Sequence, residues 1–194
     1  MKRVAVFCGS STGFDPIYTD QAKILAQYFV THDIGMVYGG GKVGLMGVLA
    51  DHMIAKQGEV IGVIPELLRH EEVAHADISQ LIVTKKMSKR KVKISRLVDG
   101  YIALPGGFGT LDELFEALTL GQLGIEQKAI GILNTNDYFK HTLNQLEHMV
   151  AQGFLKSDNL SRLIVANTVD ELMRSMHSFR APEKGEVIDK IVSK

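Results

Sequence analysis

Short apolar runs alternate along the chain with longer segments in which apolar residues recur at helical spacing. The runs cover residues 4–8, 34–38, 60–64, 81–83, 101–104, 129–133 and 163–166. Strands of a parallel sheet that is covered on both faces are apolar at nearly every position, as these runs are. The alternation therefore predicts an α/β fold, a doubly wound and mainly parallel sheet with helices on both faces.

Capping residues predict where some of the helices begin and end. Asp15 suits an N-cap, and Pro16 then occupies the first helical position. A later helix is predicted to start near Asn136 or Asp137 and to stop at Gly153. Residues 1–180 are accordingly expected to form one Rossmann-like domain, followed by a polar tail over residues 181–194.

Composition narrows the classes of protein that the chain resembles. Its 22 Lys and Arg balance its 22 Asp and Glu, so no net field attracts it to nucleic acid or to a membrane. A single cysteine, Cys8, excludes a disulfide framework and favours a reducing compartment. The apolar run near the N-terminus is too short for a signal peptide, and no run is long enough to span a bilayer. We expect a cytoplasmic protein with neither nucleic-acid nor membrane partners.

Glycine-rich loops follow several of the predicted strands. "CGSSTG", "GGGKVGLMG", "PELLRHEE" and "PGGFGT" all leave carboxyl ends, which meet at one edge of a parallel sheet and bind ligands there. Gly39, Gly41 and Gly44 match the dinucleotide pattern GxGxxG. The acidic residue required about 20 positions later would be Glu59, which instead precedes a strand. A mononucleotide site is therefore favoured over a dinucleotide site.

The "PGGFGT" loop opens a helix that begins with several acidic residues. Backbone N–H groups at such a helix start bind phosphate. Glu113 has two interpretations: it completes a capping box with Thr110, or it is a working carboxylate beside a bound phosphate. Asp112 and Glu116 lie four residues apart and repel one another, which indicates that at least one has another role.

The segment 85–96, "KKMSKRKVKISR", is strongly basic. It is interpreted as a solvated helix face, as a nucleic-acid contact, or as a helix that turns one or two cations toward a nucleotide. The neutral overall charge and the lack of interleaved aromatic residues disfavour nucleic acid. Arg90 suits a phosphate or planar partner because its guanidinium presents a fork of donors.

These motifs together resemble one enzyme family. "CGSS", "YGGGKVGLMG", the Arg90–Lys91 pair and "PGGFGTLDE" are similar in order and spacing to the signatures of the LONELY GUY (LOG) family. The resemblance implies hydrolysis of the N-glycosidic bond of (N6-modified) adenosine 5′-monophosphates, giving free base and ribose 5-phosphate, without a cofactor. It also implies a homodimer. Many members of the family carry the label lysine decarboxylase, but nothing in these residues suggests that chemistry.

The resemblance assigns roles to individual residues. Arg90 and Glu113 correspond to the catalytic pair. The candidate substrate- and phosphate-binding residues are Gly9, Ser10, Gly40, Gly41, Gly44, Glu72, Met87, Lys91, Gly106, Gly107, Phe108, Gly109, Thr110 and Thr119. Glu113 is expected to stay ionised at its helix N-terminus and to stabilise an oxocarbenium-like transition state or activate water.

Two further expectations concern chemistry that the residues do not favour. The seven histidines lack paired metal-ligand spacing, so no metal site is predicted. Cys8 ends an apolar strand and is interpreted as a small buried residue.

The competing function is a non-catalytic carrier of a nucleotide or of the molybdenum cofactor on the same scaffold. One fold can host several functions, so the fold by itself does not decide between a carrier and an enzyme.

Overall fold

The computed structural model describes residues 1–69 and 74–181. All seven predicted strands are present and form one sheet in the order β4-β3-β2-β1-β5-β6-β7, with every neighbouring pair parallel. The strands are β1 Arg3–Phe7, β2 Gly35–Tyr38, β3 Val60–Pro65, β4 Gln80–Thr84, β5 Gly100–Ala103, β6 Ala129–Leu133 and β7 Leu163–Ala166. The helices are α1 Ile17–Thr31, α2 Gly44–Ile54, α3 Met87–Leu97, α4 Phe108–Gln122, α5 Lys140–Ala151, α6 Ser157–Leu160 and α7 Val169–Ser178.

Helices cover both faces of the sheet, which confirms the doubly wound, Rossmann-like prediction. One core packs α1, α2 and α7 on one face through residues such as Leu25, Leu49 and Leu172. The other packs α3, α4 and α5 through Ile94, Leu114 and Leu146. Because each strand is buried on both sides, nearly all its positions are apolar.

The strand order predicts a ligand site between β1 and β5. The chain builds outward from β1 to β4 in one direction, then returns to pair β5 with β1 and continues in the other direction. Loops that leave adjacent strands at such a switch point diverge and open a crevice at the carboxyl edge. The "CGSSTG" and "PGGFGT" loops are the two that flank this crevice.

Helix boundaries agree with the sequence signals at one helix and depart from them at another. The Ile17 N–H donates to Asp15 Oδ1 at 2.9 Å, so the Asp15 side chain caps the start of α1 as predicted, although the helix begins at Ile17 and Pro16 precedes its first residue. The predicted start of α5 is wrong: Asn136 and Asp137 adopt left-handed φ values of 52° and 55°, and the helix begins at Lys140. α5 does end before Gly153, whose φ is 79°.

The glycine-rich loop after β2 packs against the loop after β1. Gly44 has a φ of 61°, and a Cβ there would overlap the backbone of Ser10 and Ser11. The Leu45 N–H donates to Gly9 O at 3.1 Å and to Ser11 O at 3.3 Å. The start of α2 therefore holds the loop after β1 in place.

Two regions of the sequence lie partly or wholly outside this description. Residues 70–73 include the predicted contact Glu72, and residues 182–194 make up all of the predicted polar tail except Ala181. Among the helices that the structure describes, none combines the length and apolar character needed to cross a membrane.

Candidate active site

A cleft of about 280 Å³ opens at the switch point between β1 and β5. It is lined by the β1 loop, the starts of α3 and α4, and single apolar residues from neighbouring elements. The lining residues are Cys8, Gly9, Ser10, Met46, Leu68, Met87, Arg90, Gly107, Phe108, Gly109, Thr110, Asp112 and Glu113. Most of the residues predicted from the sequence are thus brought together.

The glycine loop after β5 presents backbone donors to this cleft. α4 begins at Phe108 with Gly107 as its N-cap, and its first internal bond runs from the Leu111 N–H to Gly107 O at 3.2 Å. The N–H groups of the first turn consequently have no acceptor within the helix. Gly106 must be glycine, because a Cβ would overlap the Thr110 side chain and approach Gly9 N to 2.7 Å.

The capping-box interpretation of Glu113 is wrong. Thr110 lies inside α4, is 4% exposed, and does not serve as the N-cap. The helix starts earlier than the sequence suggests because Gly107 already occupies the cap position. Glu113 is therefore placed in the second turn, where its carboxylate faces Arg90 instead of the helix end.

Arg90 and Glu113 form a buried ion pair. Arg90 Nη1 donates to Glu113 Oε1 at 2.5 Å, and the two side chains are only 12% and 11% exposed. Arg90 Nε donates to the carbonyl of Val63, within β3, at 2.9 Å. Gly39 leaves room for the guanidinium, since a Cβ there would lie 2.8 Å from Nη2. Arg90 is thus held by β3 and by the loop after β2, and it in turn holds the Glu113 carboxylate.

Burial raises the pKa of Glu113 above its ordinary value, and Arg90 and then Lys91 oppose this shift. The removal of the carboxylate from water is the largest influence on this pKa, and the expectation that Glu113 stays ionised remains a prediction. A carboxylate with a raised pKa is a stronger base while ionised. The site therefore favours proton abstraction or charge stabilisation by Glu113.

Lys91 forms ion pairs with two of the acidic residues that crowd the start of α4. Its Nζ lies 2.8 Å from Asp112 Oδ2 and 3.2 Å from Glu116 Oε2. Lys91 and Arg90 are the members of the basic segment that pair with carboxylates of α4, whereas residues such as Lys89 and Arg96 face solvent. Of the three interpretations of this segment, the geometry favours the one in which one or two cations turn inward.

Several predicted contacts lie apart from the cleft. Gly40, with a φ of 81°, and Gly41, which bridges to Ala74, are buried and shape the loop after β2. Gly44 packs on the β1 loop, as described above. Thr119 lies farther along α4, lines a separate apolar groove, and donates its hydroxyl to Phe115 O at 2.7 Å.

Other features bear on the alternative chemistries. Glu59 lies at the opposite edge of the sheet and pairs with Arg3 at 2.7 Å, so it is unsuited to bind a ribose. Burial raises the pKa of the Cys8 thiol, which disfavours a nucleophilic role. Within residues 1–69 and 74–181, no cluster of three His, Cys, Asp or Glu side chains is arranged to hold a metal ion.

Met46 and Leu68 line the cleft without having been predicted. Met46 comes from α2, and Leu68 from a short 3-10 helix, Glu66–Leu68, that follows β3. Met46 lies in an apolar stretch of the sequence, which is the pattern of core packing, and Leu68 lies in a polar loop that carries no recognisable motif. Their position at the site follows only from the way β3 and α2 converge.

Known proteins resemble the chain in both sequence and fold. The family model described as "Possible lysine decarboxylase" matches residues 46–176. The cytokinin riboside 5′-monophosphate phosphoribohydrolase LOG5 of Arabidopsis thaliana is 38% identical over 96% of this chain and 82% of its own length. LOG7 of the same organism is 38% identical over 98% of this chain and 88% of its own length.

Solved structures of lower identity share the fold. A Moco carrier protein from Chlamydomonas reinhardtii has a TM-score of 0.66 at 18% identity, with 90% of this chain and 94% of that chain covered. The molybdenum cofactor binding protein of Rippkaea orientalis has a TM-score of 0.68 at 22% identity, with 91% and 95% covered. The sequence matches, in contrast, extend over the site motifs, and the protein belongs to the LOG family of cytokinin riboside 5′-monophosphate phosphoribohydrolases.

Proposed function

We propose that the protein hydrolyses the N-glycosidic bond of adenosine 5′-monophosphates, including N6-modified ones, to free base and ribose 5-phosphate. The observation that carries the proposal is the buried Arg90–Glu113 pair, with 2.5 Å between Nη1 and Oε1, beside a helix start suited to phosphate. The names of LOG5 and LOG7 support the same reaction class.

In the proposed mechanism the 5′-phosphate binds the first N–H groups of α4 and the Thr110 hydroxyl. This anchor places the ribose C1′ near Glu113, whose negative charge stabilises the oxocarbenium-like transition state. Water adds to C1′ as the bond to the base breaks. Glu113 accepts a proton from that water, and the departing base gains one from solvent.

Arg90 has a separate role in this scheme. Its guanidinium presents a rigid fork of charged donors, so it is assigned the orientation of Glu113 and the substrate and no proton transfer. Gly9, Ser10, Met87, Phe108 and Lys91 are proposed as further substrate contacts. Glu72 and Thr119 stay proposals that rest on the family resemblance alone.

The reaction is tested by chromatography after incubating the purified protein with AMP or with isopentenyladenosine monophosphate. Free base and ribose 5-phosphate are expected from both, and the faster substrate identifies the preferred base. Adenosine is the matched control, because it presents the same bond without the phosphate and is expected to react far more slowly. Equal hydrolysis of adenosine would contradict the phosphate anchor.

A non-catalytic carrier of a nucleotide or of the molybdenum cofactor is the less supported alternative. The Moco carrier protein and the molybdenum cofactor binding protein share the fold with this chain at 18% and 22% identity. Likeness at that level shows the fold alone and gives no information about the site. A carrier has no need of a carboxylate that is buried against Arg90. Tight nucleotide binding with no base release over hours would favour the carrier.

We also propose a homodimer in the cytoplasm. Val92 and Ile125, which are 48% and 62% exposed, border an apolar cavity of about 350 Å³ beside Glu113, and such a surface suits a partner subunit. The single cysteine suits a reducing compartment. Light scattering is expected to give twice the chain mass of 21.4 kDa; a monomer would contradict the assembly.

The pH dependence of base release is expected to follow the ionisation of Glu113. Because burial raises its pKa, the rate should fall with decreasing pH at values above those of an ordinary glutamate. Lys91 lowers this pKa and Asp112 raises it. In kcat/KM profiles, Lys91→Met should therefore shift the acid limb to higher pH, and Asp112→Asn should shift it to lower pH.

These two variants control for one another, since each removes one partner of the same ion pair. A loss of Lys91–Asp112 packing alone would move both profiles in the same direction. Opposite shifts require an electrostatic effect on one titrating group. Identical profiles for the wild type and both variants would exclude Glu113 as that group.

A further inference from the structure

Tyr138 joins a different part of the chain to the phosphate loop. Its phenolic O–H donates to the carbonyl of Gly106 at 2.7 Å, although it follows β6 and lies 32 residues farther along the chain. Its ring packs edge-on against Tyr18, with centroids 5.9 Å apart. Tyr138 itself is absent from the lining of the cleft. It thus contacts the phosphate loop from outside the cleft.

The backbone that carries Tyr138 is strained and tightly held. Asn136 and Asp137 are consecutive non-glycine residues with left-handed φ values of 52° and 55°. Asn134, only 7% exposed, holds this turn through both ends of its amide. Its Nδ2 donates to Asp137 Oδ1 at 3.2 Å, and its Oδ1 accepts from the Phe139 N–H at 2.9 Å. The turn therefore fixes the position from which Tyr138 extends.

The bond from Tyr138 sets the orientation of one peptide group. In a trans peptide, the carbonyl of one residue and the N–H of the next point in opposite directions. With the Gly106 carbonyl held toward Tyr138, the Gly107 N–H points away from it, and Gly107 lines the cleft. Glycine has no Cβ to restrict its φ and ψ, so the bond to Tyr138 narrows the orientations open to this peptide. A Cβ at Gly107 would meet nothing within 4 Å, so the Gly107 side of the peptide has open space, whereas Gly106 packs closely against Thr110 and Gly9.

We propose that Tyr138 is a positioning residue that holds the Gly106–Gly107 peptide with its N–H toward the substrate 5′-phosphate. The inference rests on the proposed function, since it assumes that this loop binds the phosphate. It assigns Tyr138 to phosphate affinity and leaves the chemistry at C1′ to Glu113 and Arg90. Loss of the phenol hydroxyl should therefore weaken phosphate binding selectively.

The test compares Tyr138→Phe with Tyr18→Phe, which removes the hydroxyl of the neighbouring ring and leaves the bond to Gly106 intact. Calorimetry measures the Kd of ribose 5-phosphate and of adenosine. For Tyr138→Phe, ribose 5-phosphate should bind roughly 3- to 10-fold more weakly, as the loss of one hydrogen bond predicts. Its adenosine affinity should be unchanged, and its KM for AMP should rise with kcat within about twofold of the wild type.

The outcomes separate the inference from the proposed function. Wild-type affinity for ribose 5-phosphate in Tyr138→Phe would overturn the positioning role. Equal weakening of adenosine and ribose 5-phosphate would also overturn it, because a general distortion of the site would then explain both. A wild type that binds ribose 5-phosphate but releases no base from AMP would contradict the hydrolase, while the binding comparison would still decide the role of Tyr138.

Discussion

Glu113→Gln is expected to lower the rate of base release from AMP by roughly 1,000-fold or more, while the protein stays folded and binds nucleotide. The amide has nearly the shape of the carboxylate and still accepts from Arg90 Nη1, which lies 2.5 Å from Oε1. It carries no negative charge to stabilise the ribosyl cation and no basic oxygen to accept a proton. Chromatography of the products measures the loss, and nucleotide titration measures the retained binding.

Glu116→Gln is the matched control for this variant. Glu116 lies one turn farther along α4. Its Oε2 is 3.2 Å from Lys91 Nζ, and it forms no ion pair with Arg90. Its replacement should leave turnover within a few-fold of the wild type. Near wild-type turnover in Glu113→Gln, or an equal loss in both variants, would remove Glu113 from the catalytic role.

The sheet and the location of the site could be predicted because both depend on patterns that are local in sequence. A strand buried on two faces shows its environment in a continuous apolar run, as β3 and β6 do. A glycine-rich loop after such a strand lies at the carboxyl edge whatever the rest of the chain does. The position of Gly107 and Gly109 at the carboxyl edge followed from these two facts, whereas the pairing of β5 with β1 became known only from the structure.

The role of Glu113 could not be decided in this way. Its partner Arg90 is 23 residues distant in sequence, and their contact exists only because α3 and α4 pack on the same face of the sheet. The local signal, Thr110 followed three residues later by Glu113, favoured a cap. Gly107 had already taken that position. Similarly, the left-handed turn at Asn136 is held by the buried Asn134, which no helix-start pattern reveals.

Arg90→Met is expected to lower turnover at neutral pH by roughly 100-fold or more. Met preserves much of the side-chain volume but removes the charge that opposes the effect of burial on Glu113. The pKa of Glu113 should therefore rise further, and the acid limb of kcat/KM should move to higher pH. Lys89→Met, on the solvent-facing side of the same helix, is the matched control and should leave both rate and profile unchanged.

Arg90→Met should also lower the stability of the protein in a pH-dependent way, which a loss of packing alone would not do. Without Arg90, the carboxylate of Glu113 is buried with its main counter-charge removed, at a cost of about 3–5 kcal/mol in free energy of unfolding when it is ionised. A carboxyl group whose pKa is higher in the folded state than in the unfolded state binds protons preferentially when folded. The variant should therefore gain stability as the pH falls through that raised pKa.

The double variant Arg90→Met/Glu113→Gln decides whether the two residues act as a unit. It should recover stability at neutral pH relative to Arg90→Met, because no buried charge is left unpaired. It should lose little more activity than Glu113→Gln alone, since the guanidinium acts largely through the carboxylate. Urea unfolding and product chromatography give the two quantities. Additive losses in both would show that Arg90 and Glu113 contribute independently, and the buried ion pair would then be a structural contact without a joint catalytic role.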